Sequence, residues 1–146
     1  MNKERVRELI SRDVDADEYR AIRQEWKTHS IAEDNRDIPG LIATLTPDCV
    51  YEVVNTGNRW DGHEGAVRFY TELLGAFPDI HFDLQNIVIG PQGVCEEAVA
   101  TGTHQADWQQ MKATGKKITF RVVIFFPWDR ASRKFAGERV FVAEIP

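Results

Sequence analysis

From Ile80 onward the chain is a series of β-rich runs, Ile80–Ile89, Val94–His104, Lys117–Phe126 and Phe135–Glu144. This pattern predicts four strands in succession. Gly90-Pro91-Gln92-Gly93 and Trp128-Asp129-Arg130-Ala131-Ser132-Arg133-Lys134 supply hairpin-like connections. With no helical pattern between them, these strands form an antiparallel run, and helices must come from the first half of the chain. Val6, Leu9 and Ile10 are spaced for a short amphipathic helix, and a second starts near Asp15 or Asp17 with Tyr19, Ile22 and Trp26 on one stripe. After a polar break at Glu33-Asp34-Asn35-Arg36, Asp37 caps a short helix carrying Leu41, Ile42 and Leu45, which Thr46-Pro47-Asp48 ends. A strand at Cys49–Val54 leads through a loop, Asn55 to Gly62, into a helix whose buried stripe is Val67, Tyr70, Leu74 and Phe77, stopped by Pro78-Asp79. Helices, strand, helix, then strands is an α+β order, and a curved antiparallel sheet wrapped over the helices leaves a conical internal cavity.

At 146 residues the chain suits one domain, residues 1–146, with residues 1–15 as an N-terminal helical extension. Its 8 Phe, 4 Trp and 3 Tyr are enough for a core and raise the question of whether some line a pocket. A net charge of −5 argues against a nucleic-acid partner. Cys49 and Cys95 lie far apart with no CxxC pair, which fits a reducing compartment. The start, Met1 to Arg7, has no apolar core, and no apolar run reaches spanning length. The expectation is a cytoplasmic protein with no membrane partner. No phosphate loop, GxGxxG, GxSxG or HExxH pattern is present, and His29, His63, His81 and His104 lack ligand spacing. Neither a cofactor nor a metal is expected.

Strand parity puts Ala98, Ala100, Gly102 and His104 on one face, three small side chains beside a group that exchanges protons near neutrality. Either a ligand uses that volume or bulky neighbours fill it. On the last strand Glu138, Val140, Val142 and Glu144 share one face, and Arg139, Phe141 and Ala143 the other. A carboxylate turned into an apolar cup becomes a general base closer to neutrality, whereas one on the outside pairs with Arg121 or Arg139. Arg121 itself either binds an anionic oxygen or pairs with a glutamate across the sheet. Ile118, Phe120, Val122, Ile124 and Phe126 form a core face, and apolar strands of this kind suit a dimer interface. Trp26, Tyr51, Trp60 and Trp108 are the aromatic candidates for a flat hydrophobic ligand.

Trp60-Asp61-Gly62-His63-Glu64-Gly65 leading into Phe69-Tyr70, then Ala76-Phe77-Pro78-Asp79-Ile80-His81, Gly102-Thr103-His104, Ala113-Thr114-Gly115-Lys116 and Gly137-Glu138-Arg139-Val140-Phe141 together resemble the SnoaL-like polyketide cyclases of the NTF2-like superfamily. The resemblance spans roughly Trp26 to Ile145. It implies an NTF2-like cone open to a small hydrophobic molecule, commonly in a homodimer or higher homo-oligomer built through the sheet. It also implies cofactor-free intramolecular aldol cyclisation, with a carboxylate near the end of the last strand as base. His104 matches the histidine of the Gly-x-His segment. With Glu138 aligned to the glutamate six positions before the terminal acid, Glu144 takes the acid position; with Glu138-Arg139-Val140-Phe141 aligned to a Glu-Arg-Val-Tyr pattern, Ala143 takes it and the base is lost. The expected acid–base pair is therefore His104 and Glu144, with Trp26, Tyr51, Trp60, His81, Trp108, Arg121 and Glu138 around the substrate. The competing expectations are a non-catalytic ligand-binding or dimerising module, and another isomerase or hydrolase in the same cavity.

Overall fold

The computed structural model describes residues 1–144. The elements are α1 (Lys3–Ile10), α2 (Ala16–Asp34), α3 (Ile38–Ile42), β1 (Leu45–Val53), β2 (Asn58–Asp61), α4 (Gly62–Ala76), β3 (His81–Gly90), β4 (Gly93–Thr103), β5 (Lys117–Asp129) and β6 (Lys134–Glu144). The first three helices start at side-chain caps: Asn2, Asp15 and Asp37 accept from the backbone N–H groups of Arg5, Glu18 and Gly40. The six strands form one curved sheet in the order β2-β1-β6-β5-β4-β3, antiparallel except for the β1–β6 pair. This is the α+β architecture expected. Among the described residues no helix is long and apolar enough to cross a membrane.

The inner face of the sheet carries Ala98 and Ala100 from β4, Phe120, Val122, Ile124 and Phe126 from β5, and Phe135 and Val140 from β6, all buried. Ile22 of α2 and Phe69, Tyr70 and Leu73 of α4 pack onto the same core. The small face of β4 is filled from the end of α4: a Cβ on Gly102 would meet Phe77 at 3.2 Å and the Ile80 backbone at 3.4 Å.

Three local expectations are corrected. Thr46-Pro47-Asp48 lies inside β1 and does not close a helix; Pro47 falls where the β1–β6 register shifts, between Leu45 and Val50, and so breaks no regular ladder. Asn58–Asp61 is the edge strand β2, not loop, paired with β1 from Val50↔Asp61 to Val53↔Asn58. Val67 is 40% exposed, because the buried stripe of α4 runs through Ala66, Phe69, Tyr70, Leu73 and Ala76.

One irregularity orients the interior. Between Phe135 and Arg139 β6 takes four steps where β5 takes three, from Trp128 to Phe125, so β6 carries one extra residue. Gly137 sits there at φ +112°, and a Cβ on it would lie 1.9 Å from the Val50 carbonyl oxygen. Only glycine fits. The bulge resets the parity so that Glu138, Val140 and Val142 all turn toward the cone while Arg139, Phe141 and Ala143 are exposed.

Candidate functional site

Helix α2 crosses the mouth of the sheet with Ile22, Trp26, His29 and Glu33 at helical spacing on one face, so the apolar stripe that anchors the helix ends in two titratable side chains. His29 is fully buried. Its Nε2–H donates to Glu138 Oε1 at 2.9 Å, and its Nδ1 lies 2.7 Å from the Thr44 hydroxyl. The Tyr70 hydroxyl of α4 donates to the same Glu138 oxygen at 2.8 Å, and the Tyr51 hydroxyl of β1 lies 2.8 Å from that of Tyr70. Glu138 is buried and is held as an acceptor by two donors from two different helices. Such convergence positions a carboxylate to within a rotamer.

Two further carboxylates face the same interior. Glu96 of β4 accepts from the Trp26 indole N–H at 2.9 Å, and burial, reinforced by the charge of Glu138, pushes its carboxyl up to about 7 against the opposing pull of Trp26. Glu33 is raised well above the usual carboxylate range, first by desolvation and then by Glu138, Glu96 and Asp34, with Arg36 opposing. Burial and the nearby Glu138 also raise the phenols of Tyr51 and Tyr70, which keeps them protonated as donors. Carboxyl groups whose environments separate their proton affinities are the raw material of acid–base catalysis. Among the described residues no group of three or more His, Cys, Asp or Glu side chains could hold a metal ion.

Glu33 and Glu138 line one cavity, otherwise walled by apolar side chains that include Phe69, Phe82, Trp108, Phe120 and Val140. Its volume of about 20 Å³ suits about one water. A second opening of about 140 Å³, lined by Trp26, Ser30, Glu33, Phe82 and Glu96 among others, shares Glu33 and Phe82 with it.

The residues singled out from the sequence divide. Trp26, Tyr51, Trp108 and Glu138 come together around this interior. Trp60 packs against Phe69 with ring centroids 5.1 Å apart and faces an outer groove. His104 is buried and does not line the cavity; it is stacked on Phe77 at 5.0 Å, with Nδ1 3.4 Å from the Thr114 hydroxyl and no partner at Nε2 among the described residues. His81 is exposed at the start of β3. Arg121 is on the outer face and pairs with Glu97, and Arg139 pairs with Glu52 at 3.4 Å. Glu138 therefore pairs with neither arginine. The side chain of Glu144 lies outside the described residues; its backbone pairs with Phe120, two positions past Val142 and on the parity of Glu138.

His29, Tyr70, Glu33 and Glu96 were not foreseen in the site. In the sequence Tyr70 stands on the α4 stripe and in the Phe69-Tyr70 pair of the family resemblance, with no site role attached. Glu96 lies two residues before Ala98 on the same strand parity, and His29 and Glu33 extend the Ile22–Trp26 stripe by one and two turns. Their spacing places them inside, whereas polar side chains are mostly exposed.

The family description SnoaL-like polyketide cyclase matches residues 19–134. Among solved structures the chain is similar to AclR, a candidate hydroxylase from Streptomyces galilaeus, with 19% identity, a TM-score of 0.69, and 86% of this chain and 90% of that one covered. It is similar to a candidate SnoaL-like polyketide cyclase from Shewanella denitrificans, with 11% identity, a TM-score of 0.72, and 84% and 90% covered. It is also similar to an NTF2-like protein of unknown function from Burkholderia pseudomallei, with 14% identity, a TM-score of 0.67, and 86% and 91% covered. Identities this low carry the fold and no more. No curated protein matches the chain.

Proposed function

Since the chain belongs to the SnoaL-like polyketide cyclase family, we propose that it performs proton-transfer chemistry on a small hydrophobic carbonyl compound, with Glu138 as base and Glu33 as acid. The observation that carries this reading is that the two carboxyl groups line one apolar cavity in unlike environments. Glu138 is fixed by Tyr70 and His29, whereas Glu33 has its proton affinity raised by desolvation and by its acidic neighbours. In the cyclase form of the reaction, Glu138 takes the acidic C–H proton between two carbonyls. The resulting enolate carbon attacks a second carbonyl carbon of the same molecule, and Glu33 gives its proton to the alkoxide oxygen formed there. One proton enters the site and one leaves, so turnover requires only its transfer from Glu138 back to Glu33. The enolate is stabilised by the conjugation of the substrate, and the apolar walls strengthen each hydrogen bond made to it.

A second assignment of the base has its own observation. The parity of β6 runs from Glu138 through Val140 and Val142 to Glu144, and His104 Nε2 is an unsatisfied buried atom. In that version Glu144 removes the proton and His104 binds the substrate oxygen.

The experiment is exchange of the C2 proton of ethyl benzoylacetate in D2O, above the buffer rate, for wild type, Glu138→Gln and Glu144→Gln, alongside thermal shifts with the same ester. Loss of exchange in Glu138→Gln with ligand-induced stabilisation retained supports Glu138. Loss only in Glu144→Gln transfers the role. Binding with no catalysed exchange in wild type reassigns the protein to a ligand-binding module.

A further inference from the structure

The interior cavity has room for about one water, whereas sites for organic ligands enclose roughly 300 Å³ or more. One of its walls is Trp108, in the connection between β4 and β5. The same side chain walls an outer groove of about 300 Å³, lined by Asn58, Trp60, Glu72, Asp107, Trp108 and Gln109. Trp108 is thus the partition between a tight apolar chamber and an open polar trough.

The partition is poorly satisfied. The indole Nε1–H of Trp108 and the amide Nε2 of Gln109, adjacent in sequence, are sealed from solvent with no hydrogen-bond partner among the described residues. Gln109 is also in the left-handed region at φ +57°. The backbone of Trp108 is pinned by a two-way bridge to Met111, and its indole packs on rings, edge-on to Phe77 at 5.7 Å and stacked on Phe120 at 6.5 Å, so the side chain is the part free to swing. Two buried N–H donors without acceptors are a standing penalty that an incoming acceptor oxygen removes. In the groove, Asn58 and Gln109 hydrogen-bond each other and Thr56 joins them, which leaves a neutral, exchangeable amide pair. The groove also has a sign: Asp107 is paired with Lys112 at 2.7 Å, but Glu72 is exposed with no cation partner among the described residues.

We propose that the ligand has two parts: an apolar carbonyl-bearing body that enters the cone by displacing Trp108, and an uncharged, oxygen-bearing end that stays in the groove. That end accepts from Trp108 and Gln109, whose sealed N–H groups the displacement of Trp108 uncovers, and lies against Asn58. A carboxylate at the same place faces Glu72 and is rejected. This rests on the proposed reaction for the chemistry of the body but adds the polar end and its charge.

The test uses three ethyl benzoylacetates that differ only at the para position: 2-hydroxyethoxy, propoxy and carboxymethoxy. Dissociation constants are measured by calorimetry on the full chain, and C2 exchange is followed on each compound. The hydroxyl compound binds wild type about fivefold tighter than the propoxy compound, and the carboxylate binds weakest. Trp108→Phe keeps an aromatic side chain and removes one of the two donors, and it reduces the hydroxyl advantage to about twofold. Glu72→Gln, a surface change that does not threaten folding, narrows the gap between carboxylate and hydroxyl compounds. Equal affinities for all three on wild type, or a ranking that neither variant moves, overturn the inference. If the ranking holds with no catalysed exchange, the proposed reaction fails and the two-part ligand stands; if exchange occurs without the ranking, the reverse follows.

Discussion

The hydroxyl of Tyr70 donates to Glu138 Oε1 across 2.8 Å, joining α4 to the bulged strand β6 inside the cone. It holds the carboxylate in place together with His29, and Tyr51 in turn reaches Tyr70. Replacing Tyr70 by Phe keeps the ring and removes the middle of this chain. Urea unfolding is expected to show a loss of about 1 to 2 kcal/mol, because Tyr51 and Glu138 each lose a buried partner. Catalysed C2 exchange is expected to fall about tenfold, since the base is no longer fixed. An unchanged midpoint and rate would remove Tyr70 from the site.

Glu96 makes the stability depend on pH in a particular direction. Its carboxyl is pushed up to about 7 in the folded chain. Between the ordinary carboxylate value and about 7 the folded chain holds a proton that the unfolded chain has released. Stability therefore falls as pH rises through that window, and Glu33 acts in the same sense. Glu96→Gln keeps an acceptor for Trp26 and removes the titration. The variant is expected to match wild type near pH 5 and to exceed it by up to about 3 kcal/mol at pH 8, read from urea midpoints. A difference that does not change with pH would contradict this.

Gly137 tests whether the bulge is what aims Glu138. Alanine there meets both a positive φ and the Val50 carbonyl 1.9 Å from its Cβ. Gly137→Ala is expected to lose about 3 kcal/mol or more in urea unfolding. A near-wild-type midpoint would show that the strand can be rebuilt without the bulge.

The outer face of the sheet carries Val123 and Phe141, 37% and 41% exposed, beside the Arg121–Glu97 and Arg139–Glu52 pairs. We expect this face to pair with a second copy. Sedimentation equilibrium should then give about twice the 16.7 kDa chain mass for wild type and the single chain mass for Phe141→Asp. A monomeric wild type would refute the pairing.

The long strands could be read from the sequence because each is a β-rich run bounded by turn residues, and parity grouped Glu138 with Val140 and Val142 on one face, but that this face is the inner one depends on the bulge at Gly137. The edge strand β2 was missed because its four residues are too short to show a period and its partner lies across the Gly57 turn. His29 and Glu33 escaped because the stripe on α2 was followed only through its apolar members, as Glu96 did on β4. Periodicity detects burial through hydrophobicity, so a polar residue placed inside by its neighbours is invisible to it. The Gly137 bulge has one local sign, a lone glycine inside a strand pattern, but the close approach to the Val50 carbonyl that requires glycine there is a long-range contact.

Glu138 is the group we propose to remove the proton. The most direct measurement is the rate of C2 deuterium exchange in ethyl benzoylacetate for wild type and Glu138→Gln, with thermal melts to show that both fold. Catalysed exchange is expected in wild type and a fall of at least about a hundredfold in the variant, with the ester still bound. Exchange at the wild-type rate in a folded Glu138→Gln protein would contradict it.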